Sequence, residues 1–267
     1  MIKIENVVTM SPEQYQAVIR GMRNPKNSWD RTDSYVTHIE DAETLETADF
    51  AFFMGENDMD LCNRLAKGGP VHAKYRRMMV VYLDITAPLY WWKEFDTYKV
   101  GTVANSCSTM HKIHAKEFTL EDFSCEHLFD ESSTEIEWGD FVPKLFLEYT
   151  IDTLNFYHKK YLETKDKKYW WQMIQLLPSS YNQKRTVMLN YEVLAAMYKW
   201  RKNHKLDEWV EFCKWIKSLP FSELITMEDA DIPSEKLPEP VSYNGPKGGY
   251  VRTEEEIERE QRKLMEE

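Results

Sequence analysis

DITAPLYWWKEFDTYKVGTVANSCSTM, residues 84–110, is the stretch that best predicts the fold. An apolar run enters it from Met78 to Ile85, which predicts a strand buried on both faces. The Ala87-Pro88 step ends that strand, and the aromatic segment after it predicts an amphipathic helix. Small polar residues close the stretch. A buried strand, a helix and a ligand-facing loop are therefore expected to follow one another.

Composition narrows the classes of function. The chain has 267 residues, 13% of them aromatic, with nine Trp and a formal net charge of −11. So many large rings predict a Trp-rich core or a pocket for a flat ligand. The negative charge disfavours nucleic acid and anionic membranes as partners, whereas a small phosphorylated ligand needs only a local cluster of donors.

Neither a signal segment nor a long apolar run is present, so we expect a cytoplasmic protein with no membrane partner. The four cysteines are far apart, which predicts reduced thiols, with Cys62 and Cys213 filling the core. His111 and His114 have no carboxylate or thiol at ligand spacing, and we assign no metal site.

Local patterns predict the remaining elements. Residues 1–9 predict a strand, and Ser11-Pro12-Glu13 opens a helix that ends near Gly21. The donor-rich segment 22–34 predicts a solvated loop, with phosphate contact as the alternative, and 121–138 an exposed excursion. Helices are predicted at 58–67, 141–162, 169–177, 186–200 and 206–219. The fold class is therefore α/β (α+β), a central, mostly antiparallel sheet flanked by helices, with one domain at 1–227 and an acidic tail at 228–267.

The stretch 87–110 resembles the signature region of the flavin-dependent thymidylate synthases. That family has a strand, Ala-Pro, an amphipathic helix, and then Arg-His-Arg-x-x-Ser-x-Asn-Glu-x-Ser-x-Arg-Tyr. The present sequence aligns with this pattern without a gap, but different residues occupy the positions that carry the family's chemistry. The substitutions are Thr97-Tyr98-Lys99 for Arg-His-Arg, Thr102 for the first Ser, Ala104-Asn105 for Asn-Glu, Cys107 for the second Ser and Thr109-Met110 for Arg-Tyr.

Downstream spacing is similar to the same family. Leu177-Pro178, then Asn190, then Arg201 keep the intervals of its C-terminal pattern, and His72 lies where the family has a flavin-contacting His. On the predicted helix 186–200, the eleven residues from Asn190 to Arg201 make about three turns, which would place both on one face.

The resemblance implies transfer of a one-carbon unit from methylenetetrahydrofolate to deoxyuridine monophosphate (dUMP) with FAD, at sites between subunits of a homotetramer. Arg201 would hold the base, while His72, Lys99 and Asn190 would approach the flavin. The further nucleotide contacts that it implies are Glu94, Thr102, Asn105 and Ser108.

Several arginines of that family are absent here, and Thr97 and Thr109 cannot bind phosphate bidentately. Replacement cations would be Arg76, Arg77, Lys112, Lys184 and Arg185. Cys107 is the second catalytic candidate beside Arg201, because a thiolate can add to C6 of a pyrimidine and activate C5. The alternative is that Cys107 only fills a Ser-sized space.

Three functions remain open. The first is a divergent flavin-dependent nucleotide methylating enzyme. The second is an enzyme on the same scaffold with another substrate or without flavin, and the third is a non-catalytic nucleotide-binding protein.

Overall fold

A computed structural model describes residues 2–39, 49–131 and 142–227. The predicted tail at 228–267 lies outside these residues. The strands are β1 (Lys3–Val8), β2 (Tyr35–Ile39), β3 (Asp49–Phe53), β4 (Val80–Pro88), β5 (Thr102–Ser106) and β6 (Asn182–Asn190). The helices are α1 (Pro12–Arg23), α2 (Glu56–Lys67), α3 (Lys74–Met78), α4 (Leu89–Phe95), α5 (Thr109–Lys112), α6 (Pro143–Thr164), α7 (Lys167–Leu176), α8 (Tyr191–Arg201), α9 (Asp207–Lys217) and α10 (Glu223–Thr226).

The main sheet has four strands in the order β1-β4-β6-β5, and every neighbouring pair is antiparallel. Strands β2 and β3 form a separate antiparallel pair. Helices flank the main sheet, so the predicted fold class is confirmed. None of the helices in the described ranges is long and apolar enough to cross a membrane.

Strand β4 is buried on one face only, so the prediction of burial on both faces is wrong. Val81 and Leu83 are buried, whereas Tyr82 between them is 50% exposed. An antiparallel sheet can face solvent on one side, and the apolar run concealed this alternation because Tyr82 is itself counted as apolar.

Strand β1 forms one edge of the sheet and is irregular. Its register with β4 shifts between Glu5 and Val8, and Asn6 has a φ of 52°. Asparagine tolerates this left-handed backbone better than most residues. The irregularity is a β-bulge that bends the edge strand.

The predicted helix at 186–200 is wrong in its first five residues, which belong to β6. Helix α8 begins only at Tyr191, with Asn190 as its N-cap. Val187 and Leu189 point into the core by strand alternation, but they also match the helical spacing of Leu194 and Met197. Asn190 and Arg201 therefore lie at opposite ends of α8, roughly 16 Å apart along its axis at 1.5 Å per residue.

Aromatic rings form the main core beneath the sheet. Trp91, Trp92 and Trp209 are fully buried or nearly so, and Trp91 contacts Trp92 at 4.9 Å and Trp209 at 4.8 Å between ring centroids. Cys62 and Cys213 are buried in this core, as predicted.

A second apolar cluster joins α6 and α7 to the segment that follows α5. Leu154 and Met173 are fully buried in it, and Phe123 is 3% exposed. The segment predicted to be an exposed excursion therefore contributes to this core at Phe123. Its residues 132–138 lie outside the described ranges.

Candidate functional site

Arg201, the last residue of α8, is at the centre of a polar cluster with three other elements. Its Nε donates to the Tyr98 hydroxyl at 2.9 Å, and its Nη1 donates to Glu94 Oε2 at 2.7 Å. Its guanidinium lies 4.9 Å from the centre of the Trp209 ring. His204 Nε2 is 2.9 Å from the same Nη1. These contacts hold the guanidinium in one orientation.

Glu94 compensates the charge of Arg201. Its Oε2 also accepts a hydrogen bond from Trp209 Nε1 at 2.9 Å, while Oε1 has no hydrogen bond within the described ranges. Arg201 Nη2 is likewise without a protein partner there, and the Arg201 side chain is 19% exposed. The pair thus offers a free N–H edge beside a free carboxylate oxygen, with little net charge.

Asn190 caps the other end of α8. Its Oδ1 accepts from the Val193 N–H at 2.9 Å, and its own N–H donates to the Gly101 carbonyl at 3.2 Å. Gly101 has a φ of 82°, and a Cβ built there would lie 2.1 Å from Asn190 Nδ2. Next to it, Thr102 pairs with Leu189 and has a buried hydroxyl with no hydrogen-bond partner within the described ranges.

Cys107 lies just beyond the other end of β5 and is exposed. Its N–H donates to the Lys184 carbonyl at 2.9 Å, and its carbonyl accepts from Gln183 Nε2 at 3.0 Å. Ser108 caps α5, with Oγ accepting from the His111 N–H at 3.0 Å. Because extended chain advances about 3.3 Å per residue, Cys107 is roughly 17 Å from Thr102.

The other predicted residues are scattered. Lys99 is exposed in the turn before β5, and Asn105 is exposed opposite Thr186. The His72 ring packs over Gly68, where an added Cβ would be 3.1 Å from His72 Cδ2. The structure therefore joins Glu94 to Arg201, and within the described ranges no hydrogen bond or ion pair joins either to Cys107 or His72.

Three of the proposed replacement cations already have partners. Arg185 stacks on Trp92 at 4.1 Å and pairs with Asp96 at 2.7 Å. Arg76 is buried and lies 3.6 Å from Glu192. Lys184 pairs with Asp84 at 3.1 Å. These contacts leave less free positive charge than the sequence suggested.

The solvent-facing side of the sheet carries a second polar group, centred on Asp84. Hydrogen bonds from Thr186, Asn6 and Lys184 lower the pKa of Asp84 to about 2. Its Oδ1 accepts from Thr186 Oγ1 at 2.6 Å, and Oδ2 accepts from Asn6 Nδ2 at 2.9 Å. This carboxylate stays ionised and serves to join three strands.

Sequence reasoning missed three members of the Arg201 cluster, namely Tyr98, His204 and Trp209. Tyr98 occupies the centre of the signature motif, and His204 follows Arg201 by three residues. Both could therefore have been named as site candidates from their positions in the sequence. In the ranges that the structure covers, no group of three His, Cys, Asp or Glu side chains could hold a metal ion.

This architecture is the fold of flavin-dependent thymidylate synthases and related nucleotide methylases, as solved structures show. Thymidylate synthase X (ThyX) from Helicobacter pylori with FAD and dUMP has a TM-score of 0.55 at 14% identity, covering 86% of this chain and 98% of that one. The UMP/dUMP methylase PolB from Streptomyces cacaoi, bound with 5-Br dUMP, has a TM-score of 0.53 at 14% identity, covering 85% and 95%. No protein-family model and no curated protein sequence gives a significant match.

Proposed function

We propose that this chain binds a pyrimidine nucleotide at the Arg201–Glu94 pair and methylates it, in a reaction of the dUMP to dTMP type. The pair itself carries the proposal. A pyrimidine edge alternates carbonyl acceptors with an N–H donor, and the free Arg201 Nη2 beside the free Glu94 Oε1 matches that alternation. Two of the structural neighbours contain dUMP or 5-Br dUMP, which supports this choice of ligand.

The compensated pair suits the base better than the phosphate, which requires net positive charge. Lys99, Arg77 and Lys112 are exposed cations, and of these Lys99 lies in the turn before the strand with the proposed polar contacts Thr102 and Asn105, beyond which Ser108 follows. These residues extend along β5 away from Arg201. A site that contains both the Arg201–Glu94 pair and the β5 residues would form between two protomers. We therefore propose a homotetramer whose active sites lie between subunits.

FAD and methylenetetrahydrofolate are the proposed cofactor and co-substrate. FAD supplies redox chemistry when bound, and His72, Lys99 and Asn190 would be its contacts. Within one protomer these residues do not form a flavin pocket, because Asn190 Oδ1 is already bound by Val193 and the His72 ring packs over Gly68. The flavin proposal therefore rests on the shared fold and on a site completed by a second protomer.

The nucleotide proposal is tested by titrating dUMP into the protein and into two charge-matched variants. Arg201→Gln should weaken binding about tenfold or more, the usual effect of losing a charge-assisted hydrogen bond. Lys202→Gln removes the same charge from the adjacent, exposed residue and should leave binding unchanged. Equal affinities in the two variants would contradict a role for Arg201.

The reaction is tested separately, by following flavin absorption through gel filtration and then assaying folate-dependent conversion of dUMP. If the Cys107 thiolate adds to C6, a C–S bond forms, the C5–C6 double bond opens and C5 becomes the nucleophile. Cys107→Ser should then abolish turnover and keep dUMP binding. Unchanged turnover would assign Cys107 a space-filling role.

The second candidate is a nucleotide-binding protein without flavin. The compensated charge of Arg201 and the neutral Thr97 and Thr109 favour it, because they remove cations that a flavoenzyme of this fold would use. A protein that binds dUMP but stays colourless with excess FAD would support this candidate over the first.

A further inference from the structure

A cavity beside α1 has no role in the proposed nucleotide site. It has a volume of about 280 Å³ and is lined by Gln16, Ile19, Arg20, Arg23, Trp29, Thr32, Ser34 and Phe52. None of these residues belongs to the predicted site. The segment 22–34 supplies half of the lining, and it is the segment for which the sequence offered phosphate contact as an alternative.

Arg23 is buried at the wall of this cavity, although segment 22–34 was predicted to be a solvated loop. The residue is 3% exposed, and its Nε donates to Asp58 at 2.5 Å. Its Nη1 donates to the Ser28 carbonyl and hydroxyl, both at 3.3 Å. Its Nη2 has no hydrogen-bond partner in the described parts of the chain. A buried donor without a partner requires an explanation, and a group or water bound in the cavity would supply the acceptor.

Two arginines line the cavity, and Arg20 is the one that no described carboxylate compensates. Asp58 balances Arg23 and also accepts hydrogen bonds from Thr32 Oγ1 at 2.7 Å and from the Ser34 N–H at 3.0 Å. Arg20 is exposed at the last turn of α1 and forms no hydrogen bond or ion pair with another described residue. Among the described residues of the cavity wall, Arg20 therefore contributes one uncompensated positive charge.

Aromatic rings supply the other half of the recognition chemistry. Trp29 is 49% exposed, and a hydrogen bond from its Nε1 to Asn24 Oδ1 at 2.8 Å fixes its ring. Phe52 is held by stacking on Tyr15 at 5.3 Å and by edge contact with Phe221 at 5.8 Å. A ligand ring can thus meet preformed aromatic surface without ordering new side chains.

We propose that this cavity, the α1 cavity, binds a small aromatic anion, a single ring that carries a carboxylate or a phosphate. Its 280 Å³ lies just below the range of about 300–1,000 Å³ typical of drug-sized ligands, and above the roughly 150 Å³ that suffices for benzene. One substituted ring fits, and a dinucleotide does not. The anion meets Arg20 and the free Nη2 of Arg23, and the ring meets Trp29.

The test is calorimetric titration with benzoate, phenyl phosphate, benzyl alcohol and inorganic phosphate, each without dUMP and again with saturating dUMP. We expect saturable binding of at least one aryl anion, and much weaker binding of benzyl alcohol and inorganic phosphate. The two aryl anions distinguish a carboxylate site from a phosphate site. Absence of saturable aryl-anion binding, competition by dUMP, or inorganic phosphate binding as tightly as phenyl phosphate would overturn the proposal.

Variants localise the site. Arg20→Gln should weaken binding of the aryl anion about tenfold or more, as expected for loss of a charge-assisted hydrogen bond. Trp29→Leu should also weaken it, because the ring platform is lost. Arg64→Gln is the matched control, since Arg64 is exposed on α2 and, among the described residues, its side chain pairs with Asp60 alone. Thermal melting confirms that each variant is folded, and equal affinities in the Arg20 and Arg64 variants would contradict this site.

Discussion

A side chain at position 101 would collide with Asn190, which makes Gly101→Ala a strong test of the turn before β5. The added Cβ would lie 2.1 Å from Asn190 Nδ2, on a backbone with a φ of 82° that favours glycine. We expect the free energy of unfolding to fall by roughly 2 kcal/mol or more, from steric overlap added to backbone strain. Urea denaturation measures the change.

Gly69→Ala is the control for that prediction. Gly69 has a φ of 88°, but a Cβ there would meet nothing within 4 Å. Its cost should be backbone strain alone, about 1 kcal/mol. If both variants lose equal stability, the contact between Gly101 and Asn190 contributes nothing.

Asp84 gives a prediction about acid stability. Its pKa is about 2 in the folded protein, against about 3.9 for an Asp in unfolded chain. A lowered pKa stabilises the fold above the unfolded value, and this stabilisation is lost as the pH falls from about 4 toward 2. Thr186→Val should raise the pKa of Asp84, because the hydrogen bond from Thr186 is the largest cause of the shift.

Carbon-detected NMR of the Asp84 carboxyl measures that pKa directly. Thr150→Val is the control, since Thr150 donates only to the Phe146 carbonyl within α6. An unchanged pKa in the Thr186 variant would mean that Asn6 and Lys184 suffice to hold the carboxylate ionised.

Single residues of the site were predictable, but their partners were not. Arg201 and Glu94 were both assigned to the nucleotide site from a resemblance, whereas their ion pair joins positions 107 residues apart. No local pattern encodes such a contact, because it arises only when α4, α8 and α9 pack together. The motif sequence likewise does not reveal that Glu94 compensates the charge of Arg201.

At the scale of elements, the N-cap of α8 carries a testable role. Asn190→Ala should lower the free energy of unfolding by about 1 kcal/mol, because the Val193 N–H loses its acceptor in a buried position. Asn190→Ser should retain most of the stability, since Ser is also a good N-cap. Urea denaturation of both variants measures the difference.

Ser108→Ala provides the comparison, because Ser108 caps only the four-residue α5 on the surface. Its loss should cost less than the loss of Asn190. If Asn190→Ala is as stable as the wild type while flavin binding is lost, the amide serves the cofactor and not the helix.

Local signals predicted most elements well, but the ligand-facing loop expected after α4 is wrong at 102–106, where pairing with β6 makes the edge strand β5. The Ser11-Pro12 start of α1 is confirmed, with a capping box formed by Ser11 and Gln14, and Pro178 follows the end of α7 as expected. The failure at 186–190 has a physical cause. Val187 is seven residues before Leu194 and Leu189 is eight before Met197, so each fits a helical spacing as well as strand alternation, and only pairing with β4 and β5 selects the strand.

At the scale of the whole molecule, we predict assembly into a tetramer of about four times the 31.9 kDa chain mass. One support is the apolar surface of α6, where Tyr149 and Phe156 are 61% and 55% exposed. Light scattering after gel filtration measures the mass. Tyr149→Glu combined with Phe156→Glu should yield smaller species, because charge opposes burial of that face.

A double substitution of exposed Lys67 on α2 and exposed Lys214 on α9 to Glu is the control, and it should leave the mass unchanged. A monomeric wild-type protein would contradict both the tetramer and the proposal that the site is completed across protomers.

The two edges of the main sheet differ in their openness to strand addition. The bulge at Asn6 disrupts hydrogen bonding along β1, a device that discourages another chain from extending a sheet. Strand β5 is the other edge and pairs regularly with β6 over all five of its residues. Self-association through backbone pairing, and with it any tendency to aggregate, is therefore directed to β5, which is itself part of the signature segment.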